Sequence, residues 1–490
     1  MRPDLHGKLR HYVERFNAGD EETVRQAVDN AGAYAFLSRQ IPLLDCPDSD
    51  IERVYYFRWW TFRKHFKHTE HGHIITEFLP PVPWAGPYNS INCAACLHIR
   101  EGRWLADADG WLKEYIRFWL DGHGDAFAYS SWLPWAVEEY NTIRGDEAFA
   151  AGCLDQLVEM HILWEQRALQ PCGLFWSDDD RDGMEYSISG PGLRPTLNAY
   201  MYGSAMAIHR MASRAGRTEL AETFCSKAKA IKALIQNMLW HVDFYKTIPC
   251  GRGADIPPNA RPAIDAARDA RELAGYIPWY YNMPDTGADK AFAWLADGQG
   301  GFLTPHGLTT AEQRHPRFMF SNPHECLWNG PIWPYATSQT LVALANALRS
   351  QRLNALTKDD YCRLLRLYAL SHQRDGKPWI DENQHPYTGK WLAREQLEAW
   401  GWQPGKGGYE RGKDYNHSLF CDLVLSGLLG IGTDDGGSLA VNPLIPDSWD
   451  YFLVTNITHR EKRYTVLFDR TGERYGEGRG LRVMRESAGI

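Results

Sequence analysis

The sequence lacks the features that mark several large classes of protein. No apolar run is long enough to cross a membrane. The first residues lead into charged sequence and lack the apolar core of a secretory signal. The formal net charge is −8 and basic tracts are absent, which argues against nucleic-acid or anionic-membrane partners. We therefore expect a cytoplasmic protein with neither kind of partner.

Catalytic signatures of fixed spacing are also missing. The sequence has no HExxH helix, phosphate-binding loop, GxSxG elbow or dinucleotide fingerprint, so zinc peptidases, kinases, α/β-hydrolases and nicotinamide enzymes lack support. Its 10 Cys are scattered through helical sequence, which indicates reduced and mostly buried thiols. The one CxxC pair, Cys93 and Cys96, has no second pair and no thioredoxin-like context. Core packing is its predicted role, in preference to a zinc or redox site.

Aromatic residues are what the sequence has in excess. It contains 20 Trp, 24 Tyr and 19 Phe, many beside polar or acidic residues. Most of them are expected to fill the core of a large helical protein. The remainder suit a pocket in which an aromatic face stacks on the C–H face of a sugar ring.

Amphipathic helical periods recur from about residue 48 to residue 426, with Gly- and Pro-rich loops between them. The clearest pair covers 198–214 and 218–240, and Gly216 lies where a helix C-cap belongs. Further helices are predicted at 103–120, 130–143, 147–169, 337–349 and 359–373. Many helices joined by alternately short and long loops predict a closed ring of helical hairpins, with a site at one end.

The composition changes after Gly436. Short β-rich runs occupy 451–454, 464–468 and 481–484, with a turn at 469–472, and a minor β element is predicted at 73–79. The predicted fold class is therefore mainly α. We expect an (α/α)6 barrel over residues 1–435 and a small β-rich unit, packed on the barrel, over residues 436–490.

Two non-helical segments combine acids, glycines and aromatics, at 175–190 and 379–391. Hydrolysis of an acetal needs one carboxylic acid to protonate the leaving oxygen and a second carboxylate to activate water or attack carbon. One acid from each segment would supply that pair. The alternative for the first segment is an acidic surface turn or a calcium loop at 178–182, since several acids in succession are usually solvated. No other cofactor is expected.

The first segment contains Asp182-Gly183-Met184-Glu185-Tyr186-Ser187. This run resembles the Ser-Gly-Trp-Asp-Phe-Ser motif of trehalases and of glycoside hydrolase family sixty-three, which includes mannosylglycerate hydrolases. The resemblance implies that Glu185 is the general acid. Glu185 stands where the family motif usually has Asp, and Asp182 stands where it usually has Ser. Asp182 therefore stays a second candidate for the general acid.

The second segment resembles the same family's Glu-x-x-x-Pro-x-Thr-Gly element, with Pro386, Thr388 and Gly389 in step. The resemblance implies that Glu382 is the general base that activates water. A third run, Trp328-Asn329-Gly330-Pro331-Ile332-Trp333, is similar to the family element that precedes a barrel helix and lines the sugar subsite. The matches span about residues 48 to 446 and resemble the mannosylglycerate-hydrolase-like branch best.

The candidates for substrate binding surround this pair of acids. Arg58, with its neighbours Trp59 and Trp60, matches an aromatic helix near the start of such barrels, although it could equally pair with a structural carboxylate. Trp328, Asn329 and Trp333 come from the third run, because Gly330 and Pro331 break the helix there and put the two Trp in a loop. His417 is a secondary candidate, since a His before a helix is more often structural.

These observations predict an exo-acting, inverting glycosidase that cleaves a terminal, α-linked sugar from an oligosaccharide or small glycoside. The expected partner is therefore a carbohydrate substrate. Polysaccharide lyases and sugar epimerases share the helical ring, and a glycan-binding protein without turnover is a third alternative. A lyase needs a Tyr or His base and a group that neutralises a uronate, whereas carboxylates stand at both matching places here.

Overall fold

The computed structural model describes residues 3–351 and 353–486. Its α-helices are α1 (Leu5–Ala18), α2 (Ala33–Gln40), α3 (Ser49–Phe62), α4 (Asn92–Gly102), α5 (Ala108–Leu120), α6 (Leu133–Arg144), α7 (Glu147–Ala168), α8 (Pro195–Arg214), α9 (Thr218–Leu234), α10 (Ile277–Tyr280), α11 (Ala288–Ala296), α12 (Pro334–Ser350), α13 (Lys358–Ser371), α14 (Leu392–Ala399) and α15 (Phe420–Asp422). Two of them continue as π-helix, α9 over Ile235–Leu239 and α15 over Leu423–Leu428.

The strands are short except at the C-terminal end. They are β1 (Leu43–Asp45), β2 (Phe66–Thr69), β3 (Gly72–Ile75), β4 (Trp176–Ser177), β5 (Gly192–Leu193), β6 (Trp240–His241), β7 (Phe244–Tyr245), β8 (Ile248–Pro249), β9 (Leu303–Thr304), β10 (Gly307–Leu308), β11 (Gln373–Arg374), β12 (Lys377–Pro378), β13 (Ile431–Thr433), β14 (Leu439–Val441), β15 (Tyr451–His459), β16 (Lys462–Asp469) and β17 (Gly480–Arg485). Apart from β5 and the sheet that contains β15, each strand pairs with a single neighbour.

Six helices of the described chain close into an inner ring. Helix α4 packs on α6, α6 on α8, α8 on α10 and α10 on α12, and the π-helical continuation of α15 packs on α12. The ring closes because α15 also packs on α4. Outer helices cover this ring, among them α5 on α4, α7 and α9 on α8, and α13 on α12. The predicted (α/α)6 barrel is confirmed.

Burial separates inner helices from outer ones. Fifteen of the 20 residues of α8 are buried, whereas α9 buries only Ala221, Phe224, Ala228 and Ile231. The spacing of three or four residues puts these four on one face, as expected for a helix with a solvated outer side. Between α8 and α9 the chain turns at Gly216, whose φ is +71°, and the Arg217 N–H donates to the Ala212 carbonyl at 2.9 Å. The predicted hairpin is present, with its second helix turning to π geometry after Leu234.

The tail forms a four-stranded antiparallel sheet with the order β1-β15-β16-β17. The three runs predicted as β lie in β15, β16 and β17. Strand β1 comes from the N-terminal region and pairs Leu44 with Val454. Strands β13 and β14 form a hairpin with residue 436 in the turn between them. The predicted β element at 73–79 is a strand only over β3, which pairs with β2. None of the described helices is both long and apolar enough to cross a membrane.

The loops that enter the inner helices gather at one end of the ring. Glu77 lies before α4, Tyr129 before α6, Glu185 before α8, Trp333 before α12 and His417 before α15, and all five line one cavity. The cavity is therefore at the N-terminal ends of the inner helices.

Candidate active site

The cavity has a volume of about 280 Å³. This volume is near the lower end of the range for pockets that bind small ligands. Its walls combine carboxylates, cations, thiols and aromatic rings: Glu77, Phe78, Trp84, Ile91, Cys93, Tyr129, Asp180, Asp182, Gly183, Glu185, His324, Glu325, Cys326, Trp333, Tyr335, Glu382, Gly405, Lys406, Arg411, Tyr415 and His417. Both carboxylates named by the sequence motifs, Glu185 and Glu382, are among them.

Glu185 lies in the loop between β4 and β5 and is partly accessible through the cavity. Burial is the main cause that raises the pKa of its carboxyl to about 8, and the negative charges of Asp180 and Glu382 contribute to this rise. A backbone hydrogen bond also fixes this loop, because the backbone N–H of Trp328 donates to the Glu185 carbonyl at 3.0 Å. At neutral pH this carboxyl is mostly protonated and can donate a proton.

Glu382 is buried against a guanidinium. Arg411 donates from Nε to Oε1 at 2.6 Å and from Nη2 to Oε2 at 2.7 Å, a bidentate pair with the ionised carboxylate. The thiol of Cys326 donates to Oε2 at 3.2 Å, and Arg411 also donates from Nη1 to Glu325 at 2.8 Å. The arrangement fixes the orientation of Glu382 and leaves about one acceptor position, on Oε1, for a further donor.

A glycine allows this pairing. Gly412 follows Arg411 with a φ of +83°, and a Cβ on it would lie 2.1 Å from Asp381 Oδ1 and 3.3 Å from Glu382 Oε1. A side chain there would strain the backbone and collide with the loop that carries the carboxylate. The glycine therefore lets the Arg411 loop approach Glu382 closely.

Asp182 lines the same cavity but is saturated with donors from the protein. Oδ1 accepts from Ser130 Oγ at 2.6 Å and Ser177 Oγ at 2.9 Å, and Oδ2 accepts from Arg194 Nε at 2.5 Å and from the Thr196 hydroxyl. A carboxylate has about four acceptor positions, and all are in use. Because Asp182 is also ion-paired with Arg194, its oxygens are not free to bind a calcium ion at residues 178–182.

The other predicted contact residues divide into two groups. Trp333 and His417 line the cavity, and Trp333 stacks on Trp328 with ring centroids 4.6 Å apart. Trp328 lies behind Trp333, outside the cavity wall, and Asn329 donates to the Phe320 carbonyl at 2.8 Å instead of pointing to a ligand. Only part of this run is therefore placed to contact a sugar.

Arg58, Trp59 and Trp60 are not among the residues that line the cavity. They belong to α3, which packs outside the inner ring on α13 and α15, and all three are buried. Arg58 donates to Thr61 Oγ1 at 2.6 Å and Trp60 to Asn17 Oδ1 at 2.8 Å. These contacts between layers of helices replace the sugar contacts expected from the sequence.

Sequence reasoning missed several residues of the cavity. Arg411 and Cys326 hold Glu382, and Glu77, Cys93 and Tyr415 also line the cavity. The segment around Arg411 has several glycines but no periodicity or motif, so no local signal indicated that its guanidinium meets a carboxylate 29 positions away. Contacts of this kind depend on the closure of the ring.

Comparison with known proteins agrees with this architecture. The family described as "Mannosylglycerate hydrolase MGH1-like glycoside hydrolase domain" matches residues 87–418. A solved structure named "Sialidase" is 37% identical with a TM-score of 0.88, over 98% of this chain and 43% of that one. No curated protein sequence matches.

More distant structures share the fold alone. The GH78 family rhamnosidase of Bacillus sp. GL1 is 12% identical with a TM-score of 0.56, over 89% of this chain and 41% of that one. A bacterial glucoamylase complexed with acarbose is 12% identical with a TM-score of 0.51, over 76% of this chain and 55% of that one. The chain thus spans less than half the length of the sialidase it resembles. Because the family match covers most of the sequence, the chain belongs to the mannosylglycerate hydrolase MGH1-like glycoside hydrolases.

Proposed function

We propose that this chain is an exo-acting, inverting glycosidase with Glu185 as general acid and Glu382 as general base. The observation that carries the proposal is the contrast between two carboxyl groups in one cavity. Burial raises the pKa of Glu185 to about 8, whereas Glu382 is paired with the Arg411 guanidinium. Burial keeps Glu185 protonated near neutral pH, and Arg411 orients the Glu382 carboxylate, so we assign the acid to Glu185 and the base to Glu382.

The proposed reaction is a single displacement. Glu185 gives its proton to the glycosidic oxygen as the bond to the anomeric carbon breaks, and Glu382 accepts a proton from the water that attacks that carbon. The leaving group departs as an alcohol and the sugar is released with a new hydroxyl. Arg411 positions Glu382 throughout, and Trp333 provides an aromatic wall for the sugar ring.

Asp182 is proposed to have a structural role. Four donors already occupy its oxygens, so it has no free position from which to exchange a proton with a substrate. The preference for a terminal, α-linked sugar rests on the resemblance to family sixty-three and on a pocket at one end of the ring.

The sugar is proposed to be neutral, although one relative is named a sialidase. The cations in the cavity wall are Arg411 and Lys406, and both are engaged, Arg411 with Glu382 and Glu325 and Lys406 with Glu325 at 3.0 Å. Among the described residues of the wall, no other Lys or Arg is available to a sugar carboxylate. A sialoside or uronide would therefore bring an unpaired negative charge beside several carboxylates.

A panel of neutral and acidic glycosides, followed by proton NMR, tests this proposal. The first-formed sugar should have the anomeric configuration opposite to the substrate, because inverting enzymes hold the carboxyl groups about 6.5–9.5 Å apart with water between them. Retention of configuration would make one carboxylate a nucleophile and refute the inverting assignment. An unsaturated product that absorbs in the ultraviolet would instead identify a lyase, and hydrolysis of sialosides would refute the neutral sugar.

A further inference from the structure

A thiol, an imidazole and a carboxylate meet on one wall of the cavity. One donor atom from each of Glu77, Cys93 and His417 lies within 4.8 Å of the others. The three residues are 2%, 5% and 6% exposed. Within residues 3–351 and 353–486 this is the single group of three such side chains close enough to share a metal ion.

Two polar atoms in this group have no hydrogen-bond partner. They are Glu77 Oε2 and His417 Nδ1, both buried. Buried polar atoms in native proteins are nearly always satisfied, so an unsatisfied pair in one cluster needs an explanation. His417 Nε2 lies 2.9 Å from Glu77 Oε1, so binding of a cation would replace this contact, whereas Glu77 Oε2 and His417 Nδ1 have no partner to give up.

The fold brings the three residues together from different parts of the chain. Cys93 is in the first turn of α4, Glu77 precedes that helix, and His417 precedes α15, which packs on α4. Cys96 lies one turn further along α4, where its thiol donates to the Asn92 carbonyl at 3.8 Å, and it does not line the cavity. The CxxC pair is therefore divided, and only Cys93 has access to the site.

We propose that Glu77, Cys93 and His417 bind a divalent cation of the zinc class. Sulfur, nitrogen and carboxylate oxygen together are donors that zinc takes in proteins, and three protein ligands leave a fourth position for a water or a substrate hydroxyl. Tyr415 donates to Glu77 Oε1 at 2.6 Å and orients that carboxylate. Binding converts the Cys93 thiol to a thiolate, and its proton goes to solvent.

Titration of the full chain with Co²⁺ tests this site, because a cobalt–thiolate bond gives a charge-transfer absorption in the near ultraviolet. We expect one equivalent of Co²⁺ to produce that band and Zn²⁺ to displace it. Cys93→Ser should abolish the band and weaken binding by at least about 100-fold, more than the loss of an outer partner costs. Cys96→Ser is the matched control and should keep both.

His417→Gln provides a second arm in case Cys93→Ser fails to fold, which circular dichroism would reveal. It should weaken Co²⁺ binding while Cys93 and the fold are retained. A wild-type protein without a saturable band, or a band of equal strength in Cys93→Ser, would overturn the proposal. Because the titration contains no glycoside, a failure to bind Co²⁺ would not contradict the proposed hydrolysis. Likewise, a failure to hydrolyse glycosides would not contradict the proposed metal site.

Discussion

Raising the pH through the pKa of Glu185 should switch off the proposed general acid. Burial raises this pKa from the ordinary 4.5 to about 8. The carboxyl is then about nine-tenths protonated at pH 7, whereas an unperturbed Glu would be almost fully ionised. We therefore expect kcat/KM to hold up to about pH 8 and to fall about tenfold for each further pH unit.

The same shift affects stability. Since one pKa unit corresponds to about 1.36 kcal/mol, a rise from 4.5 to about 8 disfavours the ionised form by at most about 5 kcal/mol, less after solvent screening at this partly accessible group. The folded state holds the proton more tightly, so the free energy of unfolding decreases as the pH rises from 4.5 to about 8. Glu185→Gln removes this penalty, and its stability relative to the wild type should increase over that window.

Two assays test this reasoning together. Chemical denaturation at several pH values measures the relative stability, and kcat/KM profiles locate the alkaline limb. Glu185→Gln should lose activity on a substrate with a poor leaving group but keep much of it on an activated aryl glycoside, which needs no proton. Asp180→Asn should move the alkaline limb to lower pH, because the Asp180 charge raises the pKa of Glu185. Equal loss on both substrates, or a limb near pH 4.5, would refute Glu185 as the acid.

Three further predictions concern other parts of the molecule. Glu382→Gln should reduce turnover by about 100- to 10,000-fold with nearly unchanged glycoside affinity by calorimetry, and near-normal turnover would remove Glu382 from the mechanism. Asp182→Asn leaves Arg194 without its charge partner and should lower the free energy of unfolding, measured by urea denaturation, by about 3–5 kcal/mol. Full stability with no turnover would instead identify Asp182 as the general acid. A chain ending at Gly436 should melt at lower temperature, because Asp45 of β1 loses Tyr475, which donates to it at 2.7 Å. Unchanged melting with lost turnover would assign part of the site to the tail.

The long helices could be predicted from the sequence because each has its own local signal. Helix α9 shows the apolar spacing of one buried face, and Gly216 marks the turn before it. The inner helix α10 has only four residues and no measurable period. Strand β1 has three residues and exists because it pairs with β15 more than 400 positions away. Elements that depend on distant partners carry no local pattern.

The candidate site was only partly predictable, for a related reason. Glu185 and Glu382 lie in motifs that resemble a known family, and both line the cavity. The same resemblance made Arg58 one candidate for sugar binding, but α3 packs outside the inner ring and Arg58 donates a hydrogen bond to Thr61. Residue type and position near a motif do not reveal which layer of a two-layer barrel a helix joins. Arg411 belongs to no motif, and its role follows only from the approach of its loop to Glu382.

The loop with Asp182 and Glu185 shows why the choice of acid needs the three-dimensional structure. The two carboxyls are three residues apart and share a cavity, and the sequence left either as the acid. Arg194 compensates the charge of Asp182 and holds its Oδ2 at 2.5 Å. Burial dominates at Glu185 and raises its pKa to about 8. The oxygens of Asp182 are occupied by four donors from the protein, whereas a carboxyl that burial keeps neutral can donate a proton. The loop therefore uses one acid to fix its conformation and exposes the other to the cavity, where we propose that it protonates the glycosidic oxygen.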